Sequence, residues 1–136
     1  MVDRISEERR SWNMSRIRSK NTTPELVVRK KLHDSGIRYR LHVNDLPGKP
    51  DLGNKKKRFA VFVNGCFWHQ HPGCKRATKP QSNQEYWLKK LEANIKRLTK
   101  NIFELKKLGY SVFVIWECEV KNQLKINNLI TNITRL

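Results

Sequence analysis

Residues 88–116, LKKLEANIKRLTKNIFELKKLGYSVFVIW, decide the fold. Leu88, Leu91, Ile95, Leu98, Ile102 and Leu105 step by three and four along one face, with Lys and Arg opposite. That is a long amphipathic helix. Gly109 stops it, and Tyr110–Trp116 follows as a β-branched, aromatic run that reads as a buried strand. Upstream, Arg58–Val63 has the same strand character. Downstream, residues 120–135 return to a helical pattern through Leu124, Leu129, Ile130 and Ile133. Nearer the N-terminus, Thr23-Pro24-Glu25 has the chemistry of a helix start, Thr23 as N-cap and Pro24 in the first turn. This helix runs to about Ser35, stops at Gly36 and turns Val28 and Leu32 inward. Ile37, Tyr39, Leu41 and Val43 then alternate with Arg38, Arg40 and His42, the period of a half-buried strand. Leu46–Pro50 is a turn that delivers Asp51 to a short strand, and Gly53-Asn54 reverses the chain into Arg58–Val63. The order α-β-β-β-α-β-α predicts one α/β domain over residues 23–136, a mixed central sheet flanked by helices. Residues 1–22 read as a basic arm carrying Trp12, Met14 and Ile17.

The charge balance points to the partner. Among 136 residues, 29 Lys and Arg face 12 Asp and Glu, a net charge of +17. Such a surface repels itself when compact and calls for a polyanion. Aromatic residues accompany the charge, which favours nucleic acid over a lipid surface. The longest apolar runs, Phe59–Val63 and Val112–Trp116, are far too short to span a bilayer. The N-terminus opens on charged residues and shows no apolar signal segment, so a cytoplasmic protein is expected. Three cysteines suit no closed disulfide set and leave thiols for metal.

Residues 64–83 form a long loop rich in Cys, His, Gly and Pro, and loops of that length in a small domain are usually functional or tied by metal. Cys66, His71 and Cys74 lie at C-x4-H-x2-C spacing, and Cys118 follows the last strand. Two thiolates and an imidazole close in sequence, completed by a distant thiolate, suit tetrahedral structural zinc. His69 can substitute for His71 on spacing alone. A second site is hinted at by scarcity: between residues 35 and 84 the only acidic residues are Asp45 and Asp51. A carboxylate at a sheet edge in a basic groove suits Mg²⁺, with Glu25 in an outer role and Asn64 and His69 nearby. On composition alone, Asp51 reads equally well as a turn aspartate and Glu25 as a helix-start carboxylate. His33 and His42 read as surface residues.

The motifs, taken in order, resemble a family. Asn13-Met14-Ser15-x-Ile17, Thr23-Pro24-Glu25-x-x-x-Arg29 and Leu46-Pro47-Gly48-Lys49-Pro50-Asp51 precede Phe62-Val63-Asn64-Gly65-Cys66-Phe67-Trp68-His69. Trp87, Asn94, Gly109 and Val114-Ile115-Trp116-Glu117-Cys118 follow. This pattern, over roughly residues 9–120, resembles the very short patch repair endonucleases, bacterial enzymes that nick DNA at T:G mismatches left by deamination of 5-methylcytosine. The resemblance implies a restriction-endonuclease-like core, catalytic Mg²⁺ and structural zinc. It makes Asp51 the metal carboxylate, with the Val63 carbonyl as a further ligand. His69 becomes the acid/base or phosphate contact, and Glu25 supports the site. Cys66, His71, Cys74 and Cys118 match the zinc ligands. Phe67, Trp68 and Trp87 match an aromatic wedge that opens the mismatch, with Met14 entering from the other groove.

Two departures stand out. Where the family carries a Thr-His pair, this chain has Val63 and Asn64. A carbonyl at Val63 can still bind metal, but Asn64 can only hydrogen-bond and cannot shuttle a proton. One residue is also inserted between His71 and Cys74, where Pro72-Gly73 supplies a turn. One active site cutting one strand implies a monomeric nickase, working on the nucleoid beside a cytosine-5 methyltransferase and a repair polymerase. Two other readings use the same features: a restriction or homing nuclease with this core, and a non-catalytic zinc-stabilised DNA-binding module.

Overall fold

The computed structural model describes residues 22–75, 77 and 82–136. The basic arm, with Met14, lies outside the described residues. Helix α1 spans Thr23–Asp34, with Thr22 as N-cap accepting a hydrogen bond from the Glu25 N–H at 3.4 Å. The cap is therefore one residue earlier than expected. The helix ends where Gly36 takes a left-handed φ of 79°. Strands β1 (Arg40–Leu41), β2 (Leu52–Asn54) and β3 (Phe59–Asn64) follow, then helix α2 (Gln84–Lys107), strand β4 (Ser111–Trp116) and helix α3 (Gln123–Thr134). The expected order of elements is the observed one.

The sheet has four strands in the order β1-β2-β3-β4. β1, β2 and β3 form an antiparallel meander, and β4 joins β3 in parallel through α2. Alternation along β3 divides the core. Phe59 and Val61 face α1 and α3, packing with Val28, Leu32, Ile126, Leu129 and Ile133. Ala60 and Phe62 face α2 and pack with Leu105, Leu98 and Ile102. Helices on both faces of a mixed sheet are the predicted α/β arrangement.

Four details differ from the sequence reading. The strand expected over 37–43 shrinks to Arg40 and Leu41, because His42 turns left-handed at φ 47° and ends the extended backbone. Gly53 is not in a turn but in β2, where a side chain would meet Val43 Cγ2 at 3.0 Å; the reversal is Lys55–Arg58. β4 is a half-buried edge strand in which only Ile115 is fully buried. In α3 the helix starts at Gln123, so Leu124 in its first turn is 68% exposed and Ile126 is buried in its place.

The length of α2 positions the site. At 24 residues it is about 36 Å long, whereas six-residue β3 spans about 20 Å. Leu105 packs under the sheet, but the N-terminal half overhangs the carboxyl end of β3. Leu88 and Ile95 are each 39% exposed there, so the apolar stripe is only partly covered among the described residues. This overhang stands opposite α1 and encloses a groove at the end of the sheet where open α/β folds place their ligands.

Candidate active site and metal centres

Asp51 enters the groove at the head of β2, across from the end of β3. Its Oδ2 accepts the Val63 N–H at 2.7 Å. Burial raises its carboxyl to about 6, against the pull of that N–H, and the neighbouring Glu25 raises it further. Glu25, in the first turn of α1, is 1% exposed. Its Oε2 pairs with Arg29 at 3.0 Å, one helical turn on. Both of its oxygens also approach His42 Nε2, at 3.1 and 3.0 Å. One ligand atom from each of Glu25, His42 and Asp51 falls within a 4.8 Å cluster. The two carboxylates at that range offer oxygen donors that a divalent cation fits, with an imidazole nitrogen beside them. His42, read from sequence as a surface residue, is thus half-buried and belongs to the site; His33 is exposed as expected.

Asn64 and His69 line the same groove as Asp51 and Val63. Asn64 is 4% exposed, and neither its Nδ2 nor His69 Nδ1 has a hydrogen-bond partner among the described residues. Buried donors are rarely left unpaired, so both atoms are available to a ligand in the groove. Burial lowers the His69 pKa, and the positive charge of Arg97 lowers it further. Its imidazole is neutral at neutral pH. The groove encloses about 760 Å³, and its far wall carries Lys90, Asn94, Arg97 and Asn101 from α2. These four follow a 4-3-4 spacing on the polar side of the helix, a signal present in the sequence but not read there as a site.

Phe67 and Trp68 stand at the mouth. Their rings are 5.2 Å apart edge to face, and Trp87 lies 5.7 Å from Phe67 and 6.1 Å from Trp68. Trp87 is 7% exposed and backs the other two, which line the groove. Lys90 Nζ sits 5.7 Å from the Trp68 ring, and Asn94 Nδ2 donates to the Trp68 carbonyl at 3.2 Å. The overhanging helix thereby fixes the aromatic pair.

Behind this loop, Cys66, His71, Cys74 and Cys118 place one ligand atom each within 4.8 Å of the others. His71 Nδ1 is 3.8 Å from Cys66 Sγ and 3.4 Å from Cys118 Sγ, and its ring stacks on Trp116 at 4.2 Å. The geometry thus gathers His71, not His69, with the cysteines. Cys66 follows β3 and Cys118 lies in a 3-10 turn after β4, so the parallel pairing of the two strands brings the thiols together. Burial raises the thiol pKa of both Cys66 and Cys118. Thiolates become favourable here only with a cation among them, and three sulfurs with one imidazole nitrogen match zinc.

Known proteins match along nearly the full length. The family model described as DNA mismatch endonuclease Vsr covers residues 2–76. The type II nicking enzyme V.XorIIP of Xanthomonas oryzae pv. oryzae is 44% identical over 133 residues, 98% of this chain and 97% of that protein. The chain belongs to the Vsr family. The type II nicking enzyme V.NmeAIP of Neisseria meningitidis is 42% identical over 137 aligned positions, again 98% and 97% of the two chains. DNA mismatch endonuclease Vsr of Escherichia coli is 33% identical over 128 residues, 94% of this chain and 81% of that protein. The motifs Thr23–Arg29 and Leu46–Asp51 fall within the span of the Vsr family match, as does the Gly65–His69 segment. No helix among the described residues is long and apolar enough to cross a membrane.

Proposed function

We propose that the protein is a Mg²⁺-dependent DNA endonuclease that nicks one strand beside a T:G mismatch arising from 5-methylcytosine deamination, on a restriction-endonuclease-like core with structural zinc. The observation that carries this reading is one groove holding three features. Asp51 is on its floor with the buried Glu25 clustered behind it, Lys90 and Arg97 are on its wall and an aromatic pair is at its mouth. The names of its relatives, nicking enzymes and a mismatch endonuclease, support nicking at a mismatch.

Asp51, the Val63 carbonyl and the Glu25 carboxylate would hold Mg²⁺. A cation held there would supply polarisation of the scissile phosphate and a more acidic water. The protein's own groups do the rest. Asn64 Nδ2 is free to donate to a phosphate oxygen or to the attacking water. His69, held neutral by burial, takes the proton of that water or passes one to the leaving oxygen. Lys90 and Arg97 bind flanking phosphates. Phe67 and Trp68, backed by Trp87, insert at the mispaired step, where unstacking costs least. One Asp51 site per chain fits a monomer acting on one strand, with a methyltransferase and a polymerase working before and after it.

The test uses end-labelled T:G and T:A duplexes with Mg²⁺ in varied flanking sequence. A nick in the T-containing strand of the T:G duplex alone is expected. Cleavage of matched palindromes, or tight binding without cutting, overturns the reading. His69→Ala should slow single-turnover nicking by roughly 10²–10⁴ with metal affinity kept, since it moves a proton and does not ligate. Trp68→Ala should lose T:G preference by ten-fold or more, because stacking by one aromatic is worth roughly 1–3 kcal/mol. Its overall affinity, set by phosphate contacts, should change less and keep its salt dependence. Undiminished discrimination between T:G and T:A would reduce Trp68 to a packing residue.

A further inference from the structure

The reaction as proposed leaves unused one imidazole that clusters with Asp51 and Glu25 beside the groove. His42 is held inward from two sides. Its backbone N–H donates to the Asp51 carbonyl at 2.9 Å, and its Nε2 stands 3.1 and 3.0 Å from the two oxygens of Glu25. Side-chain exposure is 18% for His42 and 2% for Glu25. A left-handed φ of 47° at His42 is what turns the ring off the strand direction and onto the carboxylates. Arg29 already supplies Glu25 with a positive partner at 3.0 Å, so His42 is not needed as its counter-charge. The orphaned Nδ2 of Asn64, on a side chain more than nine-tenths buried, lines the groove that Asp51 enters and marks a place built to receive something polar.

We propose that His42 is a nitrogen ligand of the catalytic divalent cation, and that this site therefore binds Mn²⁺ in preference to Mg²⁺. The proposal rests on the reading of Asp51 as the metal carboxylate. An all-oxygen site suits Mg²⁺, which gains little from an imidazole. Mn²⁺ takes carboxylate oxygens as Mg²⁺ does, but as a transition ion it also accepts an imidazole among them, so a nitrogen from His42 raises affinity for Mn²⁺ while leaving Mg²⁺ almost where it was. One ligand atom from each of Glu25, His42 and Asp51 already lies within a 4.8 Å cluster, on three separate segments of the chain.

The experiment loads the full-length, zinc-containing protein with Mn²⁺ and reads its nitrogen couplings by pulsed electron paramagnetic resonance, with Mg²⁺ as competitor. A directly coordinated ¹⁴N is expected in the parent and absent in His42→Gln. Mn²⁺ affinity should fall at least about ten-fold in the variant, the low end of what even outer partners of a metal are worth, with Mg²⁺ affinity nearly unchanged. His42→Asn, a residue that tolerates the left-handed backbone, repeats the measurement should Gln disturb the fold. Mn²⁺ bound without any coordinated nitrogen would reduce His42 to a hydrogen-bond partner of Glu25. A coupling that persists in both variants would assign the nitrogen to His69. Either outcome overturns the proposal and leaves the Asp51 metal site standing. Failure of the parent to bind Mn²⁺ any better than Asp51→Asn does would overturn both.

Discussion

Asp51→Asn should cut T:G duplex about a thousand-fold more slowly than the parent while binding it at least as tightly. The substitution keeps the size of the side chain and an oxygen to accept the Val63 N–H, so the end of β3 is undisturbed. It removes an anionic metal ligand, and the loss of ~4 kcal/mol of transition-state stabilisation is that factor in rate. It also removes a negative charge from a groove walled by Lys90 and Arg97, which eases the approach of phosphate. Single-turnover nicking at saturating enzyme separates the two effects. A rate within ten-fold of the parent across a Mg²⁺ titration would return Pro50-Asp51 to the part of an ordinary turn.

The same substitution has a stability signature that loss of activity alone does not give. Burial raises the Asp51 carboxyl from 3.8 to about 6, so the folded chain holds this proton to higher pH than the unfolded chain does. Ionised Asp51 therefore destabilises the metal-free fold. The penalty is absent below the unfolded value, grows through the window between the two, and is complete above about 6, where it amounts to about 3 kcal/mol. In zinc-containing protein without added Mg²⁺, Asp51→Asn should melt above the parent at pH 8, and the gap should close by pH 4. Mg²⁺ should raise the parent and not the variant. Equal melting temperatures at pH 8 without Mg²⁺ would mean that the carboxyl is solvated rather than held against its preference.

How much of this was legible depends on how local the cause is. The six apolar positions of α2 repeat over a long helix, so its phase and its stop at Gly109 were plain from spacing. The Cys-His loop was equally plain, since three of its four clustered residues are neighbours in sequence. The helix start misled by one residue because Thr22 and Thr23 offer the same hydroxyl, and only the fold decides which one meets the Glu25 N–H. His42 was misread for a different reason. Alternation assumes an extended backbone, and a left-handed residue at the end of a strand breaks the rule where it matters. The Glu25–His42–Asp51 cluster joins a helix, a turn and a strand start, and no spacing rule links these. The overhang of α2 past the sheet was likewise invisible, because it follows from comparing two elements rather than reading either.

Cys74→Ser should strip the protein of zinc and with it the order of the loop that carries Phe67, Trp68 and His69. Among the described residues from Gly65 to Asn83 there is no helix or strand, so backbone ladders contribute nothing to its position. It is held by short turns, the Cys66 N–H bond to Glu117, the Asn94 contact to Trp68, ring packing on Trp87 and Trp116, and the cluster of Cys66, His71, Cys74 and Cys118. Structural zinc contributes on the order of 10 kcal/mol where folding depends on it. A loss of even about 3 kcal/mol lowers the melting temperature by roughly 10 °C in a chain of this size. The core on both faces of the sheet does not include the loop apart from its edge at Cys66, so the variant should keep much of its helix signal and lose the sharpness of its transition. Cys74→His, which restores a nitrogen ligand, should recover zinc and most of the melting temperature. Elemental analysis of native, unchelated protein should give about one zinc per chain. Its absence, or a Cys74→Ser protein that melts like the parent and still prefers T:G, would leave the four residues as a chance cluster of thiols around a stacked imidazole.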